Sequence, residues 1–257
     1  MRYKTVKNSN LDEGDKPKLD IKWSARDGII SILFLVIFLL IIYFGSSKLL
    51  QLLNREQLLS ISNIDNLSFS ILYGIQVMLM LGVVWFFAIF WRRASLKDLG
   101  LRYYSIIKTI WYTFLSLLII FFISFLYVFV MNWLFGIEAP SSKIEELIAN
   151  RSISTNILLI VVAVVAPFCE EIYFRGFLYS AFKKSWGVNT ALFLSSLLFA
   201  LAHMEIYSFI PLVVIGWLLA YIFEKTKSLF PTIFLHAIYN LILILILIGQ
   251  LEIIKMY

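Results

Sequence analysis

The sequence is short of the residues with which soluble proteins meet water or brace themselves covalently. A single cysteine, Cys169, stands among 257 residues, so no intrachain disulfide can form and the fold must rest on packing. Charged residues make up only 15% of the chain against 61% apolar, too few to coat a soluble domain of this length. Histidine occurs twice, at 203 and 236. No internal repeat and no low-complexity tract is present, which argues against a transporter built from inverted repeats. No small-residue cleavage site follows the first apolar block, so that block is expected to stay as a membrane helix rather than leave as a signal peptide.

What is there is apolar sequence in blocks of roughly 17 to 30 residues, apolar all round rather than striped, the pattern of helices solvated by lipid. The expected fold is all-α, a polytopic transmembrane bundle of about seven spanning helices. They run Ile29 to Gly45, Phe69 to Trp91, Ile106 to Phe135, Asn156 to about Phe182, Thr190 to His203, Ile206 to Phe223 and Leu229 to Gly249. The fifth is barely long enough to span, and an eighth or a re-entrant segment would reverse the side of the C-terminus. Three regions follow: a mobile polar tail over 1–28, amino-terminal membrane helices over 29–135, and a bundle over 136–257 that carries the chemistry. Lys48 to Leu67 reads as a loop or an interfacial helix.

The net charge of +6 does not point to nucleic acid, because the basic residues sit in loops and form no stripe. Assigned to alternate sides, 17 Lys and Arg fall on the side of the N-terminus against five opposite, which predicts a cytoplasmic N-terminus and, with seven helices, an external C-terminus. The expected partners are the lipid bilayer and a membrane-associated protein or peptide.

Ionisable groups inside spanning helices cost several kcal/mol unless paired or hydrated, so each is a candidate for function. They cluster late: Glu170, Glu171 and Arg175 on the fourth helix, His203 closing the fifth, His236 and Asn240 on the seventh. Glu171 and Arg175 are four apart, acid first, the favourable order for a structural ion pair along one helix face. Glu170 points about 100° away and is left to face the bundle interior. His236 and Asn240, also four apart, share a face and should look into the same cavity. Glu170 beside His203 suits a general base toward water, and His236 with Asn240 suits a developing oxyanion. Two imidazoles and a carboxylate are equally a catalytic zinc set, with Glu170, His203 and His236 as ligands for a Zn2+ ion. The chain lacks His-Glu-x-x-His and Asn is a poor zinc ligand, so metal dependence stays open.

Other polar and special residues read more plainly. Glu205 reads as a solvated turn residue, Cys169 as a small core residue, and the tryptophans as interface belts and packing. Pro167 and Pro211 can bend their helices, as proline in membrane helices ordinarily does.

Three segments, Glu170-Glu171-Ile-Tyr-Phe-Arg175, Phe199-Ala-Leu-Ala-His203 and His236-Ala-Ile-Tyr-Asn240, occur in this order on apolar helices. Together they resemble the three motifs of the CAAX protease and bacteriocin-processing family (CPBP, or Abi), over roughly Ile137 to Gly249. The Lys97-Asp-Leu-Gly-Leu stretch is similar in character only. The resemblance implies an intramembrane endopeptidase in which Glu170 and His203 activate water, His236 and Asn240 steady the oxyanion, and Phe199 supports the site. Both metal-dependent and metal-free glutamate mechanisms have been described for the family. It also implies a bacterial plasma membrane. The competing reading within the same fold is a non-catalytic protein, a bacteriocin-immunity factor or a scaffold for a signalling partner.

Overall fold

The computed structural model describes residues 19–55, 74–141, 144–145, 148 and 154–256, and over these it contains helices and no strand. The helices are α1 (Ala25–Arg55), α2 (Gly74–Trp91), α3 (Ile106–Phe135), α4 (Thr155 to Trp186 as one continuous rod), α5 (Val188–Ala202), α6 (Phe209–Thr226) and α7 (Phe230–Met256). Six of them are long and apolar enough to cross a bilayer. The exception is α5: its 15 residues extend only about 22 Å, short of a hydrocarbon core of about 30 Å. The protein is an all-α integral membrane bundle, with six helices of spanning length and a seventh that falls short among the described residues.

The starts of α1, α3 and α7 and the ends of α2, α4 and α6 meet at one end of the bundle. Arg92 at the end of α2 pairs with Asp27 at 2.8 Å. Ser228 Oγ, ahead of α7, donates to the carbonyl of Arg102, and Lys183 of α4 reaches Glu224 of α6. This is the lysine- and arginine-rich end. The C-terminal end of α7 lies at the opposite one.

The sequence expectation of a mobile tail over 1–28 needs correcting for residues 19–28; 1–18 lie outside the described residues. Trp23 is fully buried, stacks on Phe177 with ring centroids 5.7 Å apart, and donates from Nε1 to the Phe177 carbonyl at 2.8 Å. Lys184 Nζ donates to the Ile21 carbonyl, and Ala25 N–H to Ser185 Oγ. The segment is a clasp on the end of α4, held by one large aromatic with its polar edge satisfied. Helix α1 also runs on to Arg55, so Lys48 to Arg55 is helix rather than loop, while residues 56–67 lie outside the described residues. Nothing obliges a helix to stop where its apolar run stops.

The turn between α2 and α3 tucks into this end. Leu99 is buried, and Gly100 sits at φ +91°, where an added Cβ would lie 2.6 Å from Phe223 Cε2. Its carbonyl accepts from Leu229 N–H at 2.8 Å. Only glycine allows both the left-handed backbone and this approach. Leu99, Phe223, Leu229 and Phe177 all belong to the one buried apolar core.

Helices α5 and α6 make the most intimate pair. A Cβ on Gly216 would meet Ser196 at 3.0 to 3.2 Å, the small-residue contact that lets membrane helices approach closely without a hydrophobic drive between them.

Candidate active site

Helix α4 supplies three of the polar groups and is irregular on either side of them. Residues Val161–Val165 and Ile172–Tyr179 are π-helical, flanking the α-turn Ala166–Glu171. The first π stretch meets Pro167, which has no N–H. In the π register Ala166 N–H bonds to the Val161 carbonyl, so the next carbonyl, that of Val162, would await a donor from Pro167. Asn240 Nδ2 supplies it from α7 at 2.9 Å. Asn240 therefore completes the backbone of α4 at the turn that carries Glu170.

Glu171 and Arg175 form the expected pair, Nη1 to Oε1 at 2.6 Å with both side chains fully buried. The arginine is held further by the Gly216 carbonyl at 3.2 Å and by the ring of Phe199, 4.4 Å below Cζ. The sequence left His236 without a partner other than the shared cavity. In the structure its Nδ1 lies 2.9 Å from Glu171 Oε1, so the pair is also the anchor of the histidine. A carboxylate accepts, so Nδ1 carries a hydrogen and, in the neutral ring, Nε2 is an acceptor. His203 is set the same way: its Nδ1 lies 2.8 Å from the Phe199 carbonyl, which can only accept.

Both Nε2 atoms are 3.9 Å from the same oxygen, Glu170 Oε2, which is buried and has no hydrogen-bond partner within the protein. Glu170, His203 and His236 therefore converge. Phe199 joins them, its ring 4.6 Å from that of His203 and 5.6 Å from that of His236. Asn240 lies one turn beyond His236, engaged with Val162.

Three acceptors facing one another call for a donor or a cation between them. Ligands about 2.0–2.1 Å from one zinc ion at tetrahedral angles stand about 3.4 Å apart, closer than the two separations of 3.9 Å here. No group of three or more His, Cys, Asp and Glu among the described residues is arranged to hold a metal. The donor set as placed does not fit an ion, and no step is derived through one.

The site is partly open, with Glu170 19% and His203 30% exposed while Glu171 and His236 are closed off. Cys169 is buried and unpaired. Glu205 is exposed on the turn after α5.

Comparison with known proteins fits this arrangement. The family described as "Type II CAAX prenyl endopeptidase Rce1-like" matches residues 152–242, the stretch that holds every group of the site. A Bacillus subtilis (strain 168) protein named "Putative membrane peptidase YdiL" is 25% identical over 125 residues, 49% of this chain and 50% of that protein. The chain thus matches about half the length of that curated relative. No solved structure matches. Over residues 152–242 the chain is thus similar to CAAX-type membrane endopeptidases, in line with the family that its three motifs resemble.

Proposed function

We propose that this protein is an intramembrane endopeptidase that hydrolyses a peptide bond of a membrane-associated protein or peptide, with Glu170 as general base. The observation that carries the reading is the unpartnered Glu170 Oε2, equidistant from two imidazole Nε2 atoms at a partly open point of an apolar bundle. A water between these three acceptors donates to Oε2 and to one nitrogen. As its oxygen attacks the carbonyl carbon, its proton passes to Glu170, which later returns it to the leaving amine as the C–N bond breaks. His203 orients the water. His236, held through Nδ1 by Glu171, stands with Asn240 on the side where the oxyanion develops. Asn240 contributes by holding the α4 turn under Glu170, with its remaining amide hydrogen available to the oxyanion.

By the charge asymmetry of the loops the basic end is cytoplasmic, in a bacterial plasma membrane. A scaffold or immunity protein would not need the carboxylate, and this gives the test. Purified wild type should cleave quenched peptides or co-expressed membrane substrates, and Glu170→Gln and His203→Ala should not, both with and without chelator. An immunity or signalling phenotype surviving Glu170→Gln, with wild type inert on every substrate, would replace the enzyme by the scaffold.

A further inference from the structure

Glycine within a helix is less favourable than alanine, so Gly216, buried in the middle of α6, calls for a gain that offsets it. Two contacts supply one. Toward α4, its carbonyl accepts from Arg175 Nη2 at 3.2 Å, a further use of an oxygen with two acceptor sites. Toward α5, the missing side chain leaves room for Ser196, whose Cα, carbonyl oxygen and Cβ would stand 3.0, 3.1 and 3.2 Å from a Cβ placed there. Carbon atoms pack at about 3.5–4.0 Å, so a methyl group at this position would push α5 away by about half an ångström.

What α5 carries decides what such a shift would do. Ser196, Phe199 and His203 follow one another at intervals of three and four residues, so they lie along one face of the helix. Phe199 sets its ring 4.4 Å from Arg175 Cζ and 4.6 Å from the ring of His203, and its carbonyl lies 2.8 Å from His203 Nδ1. His203 Nε2 then meets Glu170 Oε2 from α5, while His236 meets the same oxygen from α7, each at 3.9 Å. The distance from His203 to Glu170 therefore depends on how far α5 can come in toward α6 and α4, and Gly216 is where α6 admits the α5 backbone.

We propose that Gly216 is a positioning residue for the reaction: by admitting α5 at Ser196 while holding Arg175 through its carbonyl, it sets His203 at its working distance from Glu170. This rests on the endopeptidase reading, and it places a determinant of the site on α6, a helix that contributes no reacting group. Groups that orient reactants tolerate displacements of about 0.5 Å, and a displacement of about 1 Å can cost a hundredfold in rate.

The test separates placement from stability. Gly216→Ala should lower kcat about tenfold or more with little change in KM, because the shift falls on the group that orients the water. Ser196→Ala keeps the Cβ and removes only the hydroxyl that donates to the Leu192 carbonyl, and should retain activity. Phe182→Ala is the comparison for stability alone: Phe182 is buried about three turns along α4 from Glu170, so its loss should lower the unfolding midpoint and leave kcat of the folded protein unchanged. The chain has only two histidines, so protein carrying isotope-labelled histidine gives two imidazole signal sets by NMR, told apart with His203→Ala. The His203 set should shift in Gly216→Ala and stay in place in Phe182→Ala. If Gly216→Ala does not fold, Ser196→Thr, which adds bulk to the same contact from α5, carries the same expectations. A kcat close to that of wild type, or an unmoved His203 signal, overturns the positioning role and leaves Gly216 as packing. A shifted His203 signal where wild type cleaves nothing would instead sink the endopeptidase reading and leave the placement of His203 by Gly216 standing.

Discussion

Glu171 does two jobs that pull apart under mutation. As the partner of a fully buried arginine it balances charge where solvation is unavailable; as the acceptor for His236 Nδ1 it fixes which nitrogen faces Glu170. Glu171→Ala removes the first and leaves Arg175 unneutralised, and should cost about 3–5 kcal/mol of stability, read as a lower unfolding midpoint in detergent. The double variant Glu171→Leu with Arg175→Met has no buried charge left and should unfold close to wild type, yet lose about a hundredfold or more in cleavage rate because His236 is no longer held. A double variant that keeps full activity would show that the pair is structural alone. The sequence exposed only half of this: the i, i+4 spacing announced the ion pair, but the reach to α7 is a tertiary contact that no spacing within one helix encodes. Phe199 packs on the arginine and both imidazoles, so Phe199→Ala should cost about 3–5 kcal/mol and reduce activity together with stability, whereas Phe199→Leu should lose less of both.

At the scale of the element, α4 shows how two carboxylates can sit in an apolar rod. Its π stretches rotate the helix in small steps around the turn Ala166–Glu171, and Pro167 removes a donor just there. If Asn240 substitutes for that donor, Asn240→Ala should cost about 1–2 kcal/mol in wild type but clearly less in a Pro167→Ala background, where the new backbone N–H can reach the Val162 carbonyl. Equal costs in both backgrounds would dissociate the two residues. The apolar blocks match the helices to within a few residues for α3, α5 and α6, because a lipid-facing helix must be apolar for its whole crossing. Helical irregularity is invisible to that signal. A valine run reads identically in α and π register, and a proline in a membrane helix is too ordinary to mark a site. Asn240 was legible as a polar group one turn from His236, but the carbonyl it serves was not.

At the scale of the molecule, charged groups gather in two places: a few buried groups around Glu170, and a set of ion pairs at the basic end. Trp23 is the residue a reading of the polar amino terminus misses, since one aromatic among charges looks solvated, and only its bond to the carbonyl of Phe177 shows it as a clasp. Asp98, on the loop between α2 and α3, caps that loop by accepting from Ser95 N–H at 2.8 Å and lies 3.7 Å from Lys22 of the clasp. Partial burial works against its ionisation, but the Ser95 N–H and hydroxyl, with the charges of Lys22 and Arg102, outweigh it and hold the carboxyl below the usual carboxylate range. A depressed folded value means that the unfolded chain takes up its proton first as pH falls. The stabilisation by Asp98 is therefore complete above its unfolded value of about 3.9 and disappears as pH drops through the lower, folded one. Because the contact is near the surface, its worth is about 0.5 kcal/mol or less, and salt screens it. Unfolding midpoints of wild type and Asp98→Asn should accordingly differ slightly at pH 6 and low salt, converge as pH falls below 4, and converge again at pH 6 in molar salt. A gap that widens on acidification would mean that the loop is held by something other than this carboxylate.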